Sequence, residues 1–160
     1  MSGEPVRHVA RVILLDRAGN VLLVRYEDSE PMDPRGEGPV GYWVPPGGAL
    51  EEGEDHRPAA IRELKEETGL TVELGPWLWE RETRLRFMGE LFSQRERFYL
   101  AKLESLAPPV SNQSPEAIRE HRWWSLRELQ LASATFFPEG FVKLVTPIIR
   151  GQLPSAPMRV

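Results

Sequence analysis

Between Asp55 and Gly69 the sequence is bounded as a helix and loads one face with acid, and this restricts the chain more than any other segment. Asp55 is an N-cap residue and Pro58 falls in the first turn. Ala60, Ile61 and Leu64 form an apolar stripe, and Gly69 is a residue at which helices end. Within that frame Glu63, Glu66 and Glu67 stand at i, i+3 and i+4, so their carboxylates project toward a common point. Exposed like charges at these spacings cost only about 0.2–0.5 kcal/mol each, so three glutamates alone describe nothing more than a solvated acidic face. Their surroundings change the reading. Arg62 is placed to pair with Glu66 across one turn, and a further carboxylate, Glu54, lies at the helix entry beyond a glycine-rich turn ending at Gly48.

The full array is Gly48, five residues, Glu54, seven residues, then Arg62-Glu-Leu-Lys-Glu-Glu-Thr-Gly-Leu70. It resembles a complete Nudix box, with every fixed position filled over 23 of 160 residues. The lead-in Trp43-Val-Pro-Pro-Gly-Gly48 is similar to the strand and turn that precede the box in that family, and Arg122-Trp-Trp-Ser-Leu126 is similar to its penultimate strand and helix. A match this long and discontinuous is far more specific than a lone glycine motif. The resemblance implies an α/β/α sandwich of the α+β kind around a central mixed β-sheet, with the box forming a loop–helix–loop that binds divalent metal. It implies Glu66 and Glu67 as metal ligands, Glu63 as an additional ligand and the Gly48 carbonyl as a further oxygen. Arg62 would orient the glutamates. The residue chemistry agrees, since Mg²⁺ and Mn²⁺ take oxygen ligands and a carboxylate cluster without histidine or cysteine suits them better than zinc. The expected activity is hydrolysis of a diphosphate linkage in a nucleoside diphosphate joined to another group, by water attack on phosphorus. In such enzymes the water-activating base comes from the helix or from a later loop. Glu116 is the loop candidate here, with Glu120 as its rival. The competing function is a catalytically silent nucleotide-binding module of the same fold, which usually lacks some box glutamates.

The rest of the chain reads as one domain over residues 1–160, with a core from about 6 to 151. His8–Leu15 and Val21–Arg25 flank the turn residues Asp16–Asn20 as a β-hairpin. Glu27–Gly41 holds three prolines, three glycines and five acidic residues and reads as a long functional loop. Tyr42–Val44 is a short strand. Leu70–Leu74, Trp77–Phe87, Phe92–Leu103 and Arg122–Trp124 all read as extended, with a turn at Met88–Glu90. Ser125 and Glu128 form a capping-box pattern, Pro138–Ile149 carries a second helical pattern that Pro147 should kink or end, and residues 152–160 are expected to be a loose tail.

Composition narrows the partners. A net charge of −4 offers no basic field for nucleic acid or an anionic membrane surface, so the expected partner is a small nucleotide or nucleotide-derived diphosphate. No apolar run approaches the roughly 18–20 residues that cross a bilayer, and Met1–Arg11 lacks the apolar stretch of a signal peptide, so a cytoplasmic protein is expected. The absence of cysteine removes disulfides and thiolate sites, including the site cysteine on which isoprenoid diphosphate isomerisation relies in this fold. Arginine far outnumbers lysine, as in GC-rich bacteria, and a homodimer is left open. Arg84 and Arg86 share one face of their strand and Arg95 and Arg97 a face of the next, so guanidinium forks for phosphate are one reading of them. The other, slightly favoured, is a surface ladder with Glu80, Glu82 and Glu96. Trp77, Trp79, Phe98 and Tyr99 read as core before they read as a base-stacking platform.

Overall fold

Val9–Leu15 is apolar at every position except Arg11, a pattern that suits a strand covered on both faces. The computed structural model, which describes residues 4–27, 34–36, 38, 40–87, 89–113 and 118–160, places it at the centre of an eight-stranded mixed sheet. Strand β1 (Val6–Leu15) turns through Asp16–Asn20 into β2 (Val21–Glu27), as the hairpin pattern predicts. β3 (Gly41–Val44) and β4 (Gly47–Ala49) come next, then helix α1 (His56–Thr68), the long hairpin β5 (Trp77–Phe87) and β6 (Glu90–Lys102), and β7 (Ile118–Trp124). Helices α2 (Leu126–Leu131) and α3 (Phe141–Ile149) and strand β8 (Met158–Arg159) complete the chain.

The sheet order is β3-β2-β1-β6-β5-β8, with β4 paired to β1 and β7 to β2. β1 and β6 run parallel from Val6↔Ser93 to Leu15↔Lys102, while β5 and β6 are antiparallel. Alternation along β1 and β6 therefore divides the interior into two layers. Ala10, Val12, Leu14 and Tyr99 pack against Ala59, Ala60 and Leu64 of α1. Ile13, Leu15, Phe98 and Leu100 pack on the opposite face with Phe141, Val145 and Ile148 of α3 and with Trp43, Trp79 and Trp124. Trp79, Phe98 and Tyr99 are thus core residues, as expected.

Helix α1 ends where the sequence predicts. Gly69 adopts a left-handed φ of 78° and its N–H bonds Lys65 O at 2.8 Å. Asp55 takes the N-cap position without a side-chain capping bond, whereas Ser125 and Glu128 form the complete capping box on α2.

Three expectations need correction. Residues 152–160 are not loose throughout: β8 adds to the sheet beside β5, and Val160 N donates to Glu80 O at 2.9 Å. Leu70–Leu74 forms no strand. Leu74 is buried against the α1 layer and its carbonyl accepts from Arg57 Nη2 at 2.8 Å, so the apolar spacing serves packing without sheet pairing. The paired glycines, read as a turn, form β4, with Gly48 opposite Ala10 and Gly47 opposite Arg11. A Cβ on Gly47 would lie 2.2 Å from Ala10 O, so only glycine permits this approach. Most of the 27–41 loop lies outside the described residues.

Candidate active site

The β4 strand and α1 converge on the box carboxylates. Glu67 is fully buried, at 0% exposure, and a carboxylate there requires donors. Tyr26 Oη at the end of β2 donates to its Oε1 at 2.8 Å, and Gly47 N–H donates to Oε2 at 2.7 Å. The Glu67 backbone is held as well, its carbonyl lying 2.6 Å from His121 Nε2 on β7.

Glu63, one turn earlier, is also buried, and its carboxyl lies directly over Gly48. A Cβ there would stand 2.4 Å from Glu63 Cδ and 2.6 Å from each of its oxygens. Gly48 is therefore required by the Glu63 carboxylate, a contact that sequence spacing alone does not reveal.

Arg62 orders the remaining acids. It forms a bidentate pair with Glu54, Nε to Oε2 at 2.9 Å and Nη2 to Oε1 at 2.8 Å. Its Nη1 reaches Glu63 Oε1 at 3.1 Å and both oxygens of the half-exposed Glu66 at 3.3 Å, and Nη2 also donates to Ala49 O at 3.2 Å. The sequence predicts the Glu66 pairing; the shorter bonds go to Glu54. Hydrogen bonding to Arg62 holds the Glu54 carboxyl down at about 2, while burial works in the opposite direction and the Glu51 N–H and Arg62's charge add to the lowering. The Arg62 guanidinium is correspondingly held above its ordinary value, chiefly by its hydrogen bond to Glu54.

Among the described residues no three acidic or histidine side chains are already gathered as a cation cage. The Arg62 guanidinium instead lies between Glu63 and Glu66. The donor set nevertheless fits a hard divalent cation. It is all oxygen, and Gly48 leaves the space that a Cβ would fill against Glu63.

Beneath this site Arg11 donates from Nε to Glu96 Oε2 and from Nη1 to Pro45 O at 3.1 Å. Arg81 Nη1 donates to the other Glu96 oxygen at 2.7 Å. Glu96 is therefore no member of a surface ladder: it is 3% exposed and faces away from Arg95 and Arg97. Burial alone would raise its pKa, but Arg11 and Arg81 outweigh that and hold it low. Burial would likewise lower Arg11, yet Glu96, with Tyr26 and Glu67 nearby, raises it. Tyr26 and Tyr42 stack at 6.0 Å, and Phe137 meets Tyr42 edge-on at 5.4 Å, an aromatic wall beside the Glu67 donor.

The four strand arginines all have partners. Arg84 pairs with Glu4, Arg86 Nη2 donates to Pro34 O at 3.3 Å, and Arg95 lies 3.7 Å from Glu82. Arg97 stacks over Trp77 at 4.2 Å. Arg95 and Arg97 help line a cleft of about 350 Å³ with His8 and His56, beside the first residue of α1. Glu116 lies outside the described residues, and Glu120 is an exposed partner of Arg25 at 3.7 Å. Sequence reasoning missed Tyr26, His121 and Arg11. Arg11 alone left a signal, as the single charge inside an otherwise apolar strand.

The NUDIX domain family profile matches residues 5–145. An RNA pyrophosphohydrolase of Wolbachia pipientis subsp. Culex pipiens is 25% identical over 157 residues, covering 89% of this chain and 90% of that protein. An RNA pyrophosphohydrolase of Dinoroseobacter shibae is 44% identical over 69 residues, which is 43% of this chain but only 38% of the relative's length. In fold, the chain is similar to a MutT protein from Methanosarcina mazei Go1, with a TM-score of 0.65 and 20% identity over 94% of this chain and 98% of that one. The chain belongs to the NUDIX family.

Proposed function

We propose that this chain hydrolyses the phosphoanhydride of a nucleoside diphosphate linked to a further group, using Mg²⁺ or Mn²⁺. The observation that carries the reading is the fully buried Glu67 carboxylate, oriented by Gly47 N–H and Tyr26 O–H next to a Glu63 carboxyl seated on Gly48. Glu63, Glu66, Glu67 and the Gly48 carbonyl would hold the cation. When bound, it would neutralise the substrate's phosphoryl oxygens and lower the pKa of water in the site.

The chain's own residues supply the rest. Arg62 keeps Glu54, Glu63 and Glu66 in register by its fork of hydrogen bonds, so the acids are set before substrate arrives. A water oxygen attacks phosphorus, the bridging P–O bond breaks with its electrons leaving on the departing phosphate oxygen, and a carboxylate takes the water proton. Glu116 is our candidate for that carboxylate. The aromatic wall of Tyr26, Tyr42 and Phe137 is our candidate for the base platform, ahead of Arg84, Arg86, Arg95 and Arg97, whose present partners would have to be exchanged for phosphate.

No described helix is long and apolar enough to cross a membrane, which supports our placing the activity in the cytoplasm. A second reading, the 5′-triphosphate end of an RNA as substrate, is favoured by the activity named for the two relatives. A panel of dinucleoside polyphosphates, nucleotide sugars, nucleoside triphosphates and a 5′-triphosphorylated oligoribonucleotide, each with Mg²⁺ and Mn²⁺, separates the two. Turnover of the oligoribonucleotide alone selects RNA, and turnover of none rejects both.

A further inference from the structure

A guanidinium inside a strand covered on both faces persists only with strong partners. Arg11 has two, in different directions. Nε is committed to Glu96, which is itself 3% exposed and tied on its other oxygen to Arg81 at 2.7 Å. Nη1 donates to Pro45 O at 3.1 Å. Pro45 stands two residues before Gly47, whose N–H is one of the donors on Glu67 Oε2, at 2.7 Å. Gly47 is also opposite Arg11 in the β1–β4 register, and Pro46 O accepts from Val12 N at 2.9 Å. The buried ion cluster on one face of the sheet is thus connected through one short turn to the most buried carboxylate of the box.

We propose that Arg11 is a positioning residue: braced by Glu96, it fixes the Pro45–Gly47 turn, and so aims the Gly47 N–H that holds the Glu67 carboxylate. The proposal rests on the reading of Glu67 as a carboxylate of the reaction. Arginine suits the task because its planar fork serves an acid and a carbonyl at once, whereas a lysine ammonium is a single point on a flexible stem. Gly47 adds the second requirement, since its lack of Cβ lets β4 lie against β1 at all. The competing interpretation is a buried cluster that serves stability alone, in which case any weakening of it would be felt alike throughout the fold.

Arg81 separates these, because it bonds the same Glu96 carboxylate and no hydrogen bond joins it to the turn among the described residues. Amide hydrogen exchange is measured on metal-free wild type, Arg11→Lys and Arg81→Lys. In Arg11→Lys, Gly47 exchange should rise roughly tenfold, the scale of one lost hydrogen bond, with the Phe98 amide in β6 changed less than about twofold. Arg81→Lys should leave Gly47 protected. With Mg²⁺ and substrate, Arg11→Lys should lower kcat about tenfold and move KM less than about threefold. Unchanged Gly47 protection in Arg11→Lys, or equal loss in both variants, overturns the proposal. Should Arg11→Lys fail to fold, Arg11→Met combined with Glu96→Gln removes both charges while the side-chain amide introduced by the second substitution still accepts from Arg81; the same selective loss at Gly47 is expected, and full protection there overturns it. Exchange is read without metal or substrate, so an inactive wild type bears on the functional reading alone.

Discussion

At the scale of single residues, two carboxylates on one helix are held in different ways. Glu67 is fixed by donors from β2 and β4, and Glu63 by Arg62 and by shape, because its carboxyl occupies the volume that a side chain at position 48 would need. Gly48→Ala should therefore displace Glu63 and lower kcat on the order of 100-fold, as misplacement of a reacting group by about 1 Å can do. The melting temperature should move little, because the atoms that must give way are the end of a flexible side chain; steady-state kinetics and thermal unfolding on one preparation check this. Glu54 supplies a pH test. Its folded pKa of about 2 lies below the ordinary value of 4.5, so the stabilisation from its Arg62 pair is complete above about 4.5 and is lost as pH falls toward 2. Urea unfolding from pH 6 to pH 2 should accordingly show a gap between wild type and Glu54→Gln that is full at pH 6 and closes at the acid end. A gap independent of pH would contradict this assignment.

At the scale of elements, the parts legible in the sequence are those whose signals are local. The β1–β2 hairpin and α1 follow from apolar spacing bounded by Asp16–Asn20, Asp55 and Gly69, and the structure keeps these bounds. Elements defined by what lies across space were not legible. β8 has two residues and no alternating pattern, and it exists because β5 offers an edge. Leu70–Leu74 has a strand-like pattern and no strand to pair with. The hairpin turn itself is reinforced by Asp16, whose carboxylate accepts from Ala18 N, Asn20 N, Asn20 Nδ2 and Ala107 N at 2.8–2.9 Å. Burial opposes its ionisation, and these four donors hold the pKa below the usual range. Asp16→Ala would remove the acceptor of four part-buried donors and should cost about 1–3 kcal/mol in urea unfolding at neutral pH. A loss below about 0.5 kcal/mol would mean water replaces the carboxylate there.

At the scale of the molecule, the sheet separates α1 from α2 and α3, and the site forms where β4 and β2 bring donors to the helix. The box residues were legible because the whole motif lies within one stretch of 23 residues. Tyr26 lies 41 residues from Glu67, and Arg11 lies 85 from Glu96, so neither contact has a local signature. Net charge bears on the substrate at this scale. A chain at −4 without a basic tract gains little from counterion release, so turnover of a small dinucleotide should change less than about threefold between roughly 50 and 200 mM salt. A steeper fall would favour the RNA reading. The central claim is that Glu67 serves water attack on a phosphoanhydride. ³¹P NMR of a dinucleoside polyphosphate incubated with Mg²⁺ in ¹⁸O-water tests it directly. Wild type should yield two phosphorylated products with ¹⁸O on one of them, and Glu67→Gln should be slower by about 100-fold or more. Cleavage without ¹⁸O in either phosphate product, or wild-type turnover by Glu67→Gln, would contradict the account.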